Sequence, residues 1–199
     1  MRLWTGIVLG LLLASGQQEA QLRLSKAEGD RFQMKLSKIV TLGNTPRTGK
    51  RAAQSTVVSD LELNSYLRYH AKDQIPVGIV EPILNAQADG IVSGRAIVDL
   101  DAVRKQKERG WLDPIGYLTG RLPLTARGRL TTQNGVGKFV LESAELSGVS
   151  VPKTVVQELL TFYSRTPEDP DGINMDDPFE LPAQIREIRV APGTATIVQ

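Results

Sequence analysis

Cysteine is absent from this 199-residue chain and histidine occurs once, at His70. Without cysteine there is no disulfide framework, thiolate nucleophile, zinc–thiolate site, iron–sulfur cluster or lipobox attachment point. A single histidine also excludes multi-histidine metal sites. Aromatic residues make up only 5% of the chain against 41% hydrophobic residues overall, so any core rests on Leu, Val and Ile. The formal charge of +2 is close to balance and gives no basis for nucleic acid as a partner. No Gly-rich phosphate loop follows a strand, and no serine sits in a G-x-S-x-G elbow. These absences leave no enzymatic chemistry and no cofactor to expect.

The one concentrated apolar run lies at the start. Met1-Arg2 precede Leu3–Leu13, small residues follow at Ala14-Ser15-Gly16, and Gln17-Gln18 restore polarity. That order reads as a secretory signal over residues 1–16, shorter than the ~20 residues of a spanning helix. The alternative is an uncleaved anchor. Either places the protein outside the cytoplasm, in the periplasm or another extracytoplasmic space.

Residues 17–54 read as an N-terminal helix and a flexible linker, and 55–199 as one α+β domain. Ser25–Val40 carries an imperfect helical pattern weakened by Gly29, and Thr41–Gln54 reads as the linker. Its Arg47, Lys50 and Arg51 are solvated, with contact to anionic lipid headgroups at a membrane surface as the alternative. Ser59-Asp-Leu-Glu62 forms a capping box that opens a helix over Asp60–His70, with Leu63, Tyr66, Leu67 and His70 on one stripe. His70 reads as a capping or surface residue at the helix end.

Three hairpins follow. Val77–Gln87 and Ile91–Leu100 flank Ala88-Asp89-Gly90, with Asp99 and Asp101 on one face at its close. Arg121–Thr131 alternates strictly, with Leu122, Leu124, Ala126, Gly128 and Leu130 on one side and Arg121, Thr125, Arg127 and Arg129 on the other. Asn134-Gly135 is the pair best suited to a tight turn before Val136–Leu146. Val151-Pro152 then leads into a helix over Lys153–Ser164, Pro152 suiting its first position. Thr166–Asp177 is acidic and Pro-rich but lacks the ligand spacing of an EF-hand, so it reads as a solvated loop. Ile185–Val190 and Thr194–Val198 make the last hairpin, tied into the sheet.

Leu118–Leu124, Asn134-Gly-Val-Gly137, Glu145–Pro152 and the capped Ser59–His70 helix resemble the LmeA-like and wider tubular lipid-binding (TULIP-like) proteins of bacterial envelopes. The resemblance covers about Val57–Gln199 and implies a ligand held between sheet and helix. The expected fold is a long, curved antiparallel sheet of hairpins packed against two or three helices. The expected function is non-catalytic binding of lipid or another apolar small molecule at the cell envelope. Leu122, Leu124, Phe139, Leu141, Val155, Leu159 and Phe162 are the candidate lining residues. The alternative is a structural or protein-interaction module with a solid core.

Overall fold

A computed structural model describes residues 23–46, 52–102, 119–165 and 169–199. The signal segment, Arg47, Lys50 and Arg51 lie outside the described residues, as do the side chains of Phe162 and Tyr163. The fold is α+β. A six-stranded antiparallel sheet stands beside a second sheet of three strands.

Helix α1 (Lys26–Asn44) begins where the Ser25 hydroxyl accepts from the Glu28 amide, 3.2 Å away. It runs through Asn44, so Thr41–Asn44, expected in the linker, belong to the helix. Gly43 is needed there because a Cβ would stand 2.4 Å from the Ala183 carbonyl oxygen. Ile39 lies beside that contact, in a core cluster with Leu181 and Ile185.

Strand β1 (Ser55–Ser59) leads straight into helix α2 (Asp60–Tyr69), and the expected capping box is complete: Ser59 accepts from the Glu62 amide while Glu62 accepts from the Ser59 amide. β2 (Ile79–Ala86) and β3 (Ile91–Asp99) form the first hairpin, β4 (Arg121–Gln133) and β5 (Val136–Leu146) the second. The alternation of β4 holds as read, its even-numbered residues turned inward and its odd-numbered ones exposed. Asn134 and Gly135 both take positive φ, 51° and 84°, which matches the twist of the flanking strands.

β5 departs from simple alternation. Gly137, Phe139 and Leu141 point inward, then Glu142 and Ser143 are both exposed, and Ala144 and Leu146 resume on the opposite parity. The cause is a bulge at which the pairing with β4 slips between Arg127–Ser143 and Gly128–Leu141. Glu142, freed from the ladder, takes both Arg127 and Arg129 at 3.2 and 3.3 Å.

Ser147-Gly148, with φ of 52° and 77°, turns the chain into β6 (Val149–Ser150), a short strand on the far side of β5. Helix α3 (Lys153–Ser164) follows. Pro152 sits one place earlier than expected, as N-cap, and its carbonyl accepts from Val155 and Val156. Its fixed φ and missing N–H cost nothing there. Gln157 and Ser164 hold the returning loop through Ile173 and Met175. β7 (Phe179–Glu180) then pairs with β5.

The last hairpin, β8 (Glu187–Ala191) and β9 (Thr194–Val198), does not extend the long sheet. β9 pairs with β1 along its whole length, Ser55 to Val198 and Ser59 to Thr194, so the small sheet runs β1-β9-β8. One side chain ties the two sheets: the Thr132 hydroxyl donates to the Ile188 carbonyl and accepts from the Ile188 amide, at 3.0 and 2.7 Å.

Candidate functional site

The fully buried positions of α2 are not its apolar stripe. Leu63, Tyr66, Leu67 and His70 are half-buried, whereas Asn64 and Ser65 are 0% exposed and Glu62 is buried. The reason is that α2 is enclosed from two sides. On one side it covers the outer edge of β2. Asn64 donates to the Leu84 carbonyl at 2.7 Å and accepts from the Leu84 amide at 2.8 Å, while Asp60 accepts from the Ala86 amide. Residues 60 and 64 are one helical turn apart, an advance of about 6 Å. Residues 84 and 86 are two strand residues apart, roughly 6.6 Å. The spacings match, and helix side chains replace a missing neighbour strand. Burial pushes the Asp60 carboxyl upward, offset only in part by the Ala86 amide.

On the other side α2 meets α1. A Cβ on Gly29 would lie 2.9 Å from the His70 ring and 3.2 Å from the Ser65 carbonyl carbon, so the glycine that weakens the helical pattern is what lets the helices approach. Phe32, Tyr66 and His70 follow one another at ring separations of 4.8 and 5.9 Å. His70 is the C-cap residue of α2, and its Nε2 stands 2.7 Å from Asp30. Lys35 reaches from α1 to both Glu62 oxygens, at 2.6 and 2.7 Å, and to the Val57 carbonyl at 2.7 Å. Burial pushes Glu62 upward, but Lys35 and the Ser59 amide outweigh it and hold the carboxyl below its ordinary range.

The acidic pair read at the close of the first hairpin is engaged locally. β3 ends at Asp99 and helical backbone begins at Leu100, so Asp99 and Asp101 do not share a strand face. Asp99 accepts from the Ala102 amide and pairs with Arg121, which together hold its carboxyl low. Asp101 accepts from the Gly120 amide. His70 belongs to the α1–α2 contact, so these three groups do not form a cleft. Among the described residues no group of three acidic or histidine side chains gathers as a metal site, and no helix is long and apolar enough to cross a membrane.

Leu122, Leu124, Phe139 and Leu141 share the inward face of β4 and β5, and all four are half-buried. Val155 and Leu159 of α3 are half-buried as well, while Phe162 falls among the undescribed side chains. Phe139 lies diagonally across the ladder over Gly128, where a Cβ would stand 2.3 Å from its ring. Part of that face is thus filled by the sheet's own aromatic residue.

Sequence reasoning missed a groove of about 460 Å³ at the other edge of the sheet, below the end of α2. Leu67 and Arg68 of α2 form one wall, Lys72 and Ile75 of the following turn an end, and Ile79, Val80 and Ile83 of β2 the other wall. The edge is open here because β2 is the end strand of the sheet, and beside the groove its pairing with β3 slips between Val80 and Ile83. Glu81, at φ 50°, and Pro82, which has no amide, form that irregularity. A proline and a bulge on an edge strand also bar another strand from adding. The legible signal was Glu81-Pro82 inside an otherwise apolar run.

No family model, curated protein or solved structure matches the chain.

Proposed function

We propose that this is an exported, non-catalytic protein of the cell envelope that binds lipid or another apolar small molecule. The observation that carries this reading is the groove between α2 and β2. Its volume of about 460 Å³ falls in the ~300–1,000 Å³ range of ligand pockets, and its walls are mainly aliphatic. Val77, on the same lining, is 49% exposed, an energetic cost in water that a bound apolar chain would relieve. The half-buried inward face of β4 and β5 offers further apolar surface, in keeping with the resemblance to tubular lipid-binding proteins. The N-terminal apolar segment supports export, and a chain without cysteine is at no disadvantage there.

Native mass spectrometry of the protein purified from its own envelope, with transfer of labelled lipid between vesicles, tests the reading. A bound apolar species is expected, displaced by Leu67→Trp, which fills the groove. Protein free of lipid, together with no vesicle transfer, would refute it and favour a solid-core interaction module.

A further inference from the structure

We infer that the ligand is an amphiphile with a single negative charge, its apolar chain in the α2–β2 groove and its headgroup at Arg68 and Lys72. This rests on the apolar-ligand reading and adds the chemical class. Arg68, in the last turn of α2, and Lys72, at the start of the next turn, are both exposed on the groove lining. Neither forms an ion pair with any described residue, which is equally true of Arg23, Lys26, Lys38, Arg95, Lys138 and Arg165; what sets Arg68 and Lys72 apart among the described cations is that both stand on the groove lining. Aliphatic side chains flank the two cations: Leu67 precedes Arg68, Ile75 follows Lys72, and Ile79 and Ile83 stand opposite.

The charge count selects a monoanion. Among the described residues Glu81 is the only carboxylate on the lining, so two cations and one anion leave a net charge of one positive. Arg68 also faces the negative end of the α2 dipole, which takes up part of its charge. A carboxylate suits what is left: the guanidinium fork receives it through two parallel hydrogen bonds and the ammonium adds a third. A dianionic phosphate would be undercompensated. Because the groove is open on one side, water screens these contacts, and the preference for an anion is about tenfold rather than thousands.

Fluorescence titration of the full chain with cis-parinaric acid and with its methyl ester, at pH 8 and low salt, tests this. The acid is expected to bind about tenfold more tightly than the ester. Arg68→Gln/Lys72→Gln is expected to bind the acid no better than the ester, and Glu81→Gln to bind the acid more tightly than the unmodified protein does. Equal binding of acid and ester by the unmodified protein would overturn the headgroup assignment and leave the apolar-ligand reading standing. So would an acid preference that persists in the double variant. Binding of neither probe would overturn both.

Discussion

Asn64 replaces a β-strand with a single side chain, and its removal has a calculable cost. Asn64→Ala deletes one donor and one acceptor, leaving both the amide and the carbonyl of Leu84 without partners beneath α2. An orphaned buried polar group costs about 1–3 kcal/mol, so the pair costs roughly 2–6 kcal/mol, and half-burial of Leu84 places the expectation near 3 kcal/mol. That is a large share of the ~5–15 kcal/mol by which domains are stable. In urea, with a slope of ~3 kcal/mol/M, the midpoint falls by about 1 M. Asn64→Asp sharpens the test. It keeps the acceptor for the Leu84 amide but sets a carboxylate oxygen against the Leu84 carbonyl, so its loss is expected to grow as pH rises and the carboxyl ionises. A midpoint for Asn64→Ala within 0.2 M of the unmodified protein would refute the claim that α2 seals the sheet edge through this residue.

Glycine to alanine in a strand ordinarily helps, but Gly128→Ala is expected to cost about 1–3 kcal/mol, since its Cβ would meet the Phe139 ring at 2.3 Å and the Val140 carbonyl oxygen at 2.7 Å. Thermal melts of Gly128→Ala alone and with Phe139→Ala check this, and an undiminished Tm in the single variant would count against the placement of the ring. Lys35→Met removes the partner of the buried Glu62 and is expected to cost about 1–3 kcal/mol at neutral pH, read by urea titration. Because Glu62 titrates lower in the folded state than its ordinary value of 4.5, its contribution is present above pH 4.5 and is lost as pH falls through the depressed folded value. Glu62→Gln should therefore flatten that part of the acid limb, and an unchanged limb would contradict it. Asp60 works in the opposite sense. Raised in the folded state from 3.8, it costs stability as pH rises past that value, so Asp60→Asn, which keeps an acceptor for Ala86, should reduce that loss in the same titration.

Much of the fold was legible because it is set by neighbours in sequence. The two-residue period of Arg121–Thr131, the positive φ of Asn134-Gly135, the Ser59–Glu62 box and the span of Lys153–Ser164 each depend on a few adjacent residues. The bulge at Glu142 was not legible, because it answers to the register of β4 and to two arginines on that strand. Short β6 and β7 were missed for a related reason: two residues carry no period, although Ser147-Gly148 marked the turn before the first of them.

The polar face of α2 shows most plainly where local reasoning ends. Asp60, Glu62, Asn64 and Ser65 look like the solvated side of an amphipathic helix when only their spacing is considered. Their enclosure is decided by groups 20 or more residues away: the backbone of Leu84 and Ala86, the ammonium of Lys35 and the amide of Ser25. The groove has the same origin, since the space between α2 and β2 appears only where an irregular edge strand lies beside a helix end. The sequence by itself determined which segments become strands, turns and helices, because backbone sterics and side-chain periodicity act over a few residues. Only the tertiary structure decided that the last hairpin joins β1, that a polar helix face seals the long sheet, and that an apolar groove lies beside it. Those outcomes depend on which distant backbone groups are left to be satisfied.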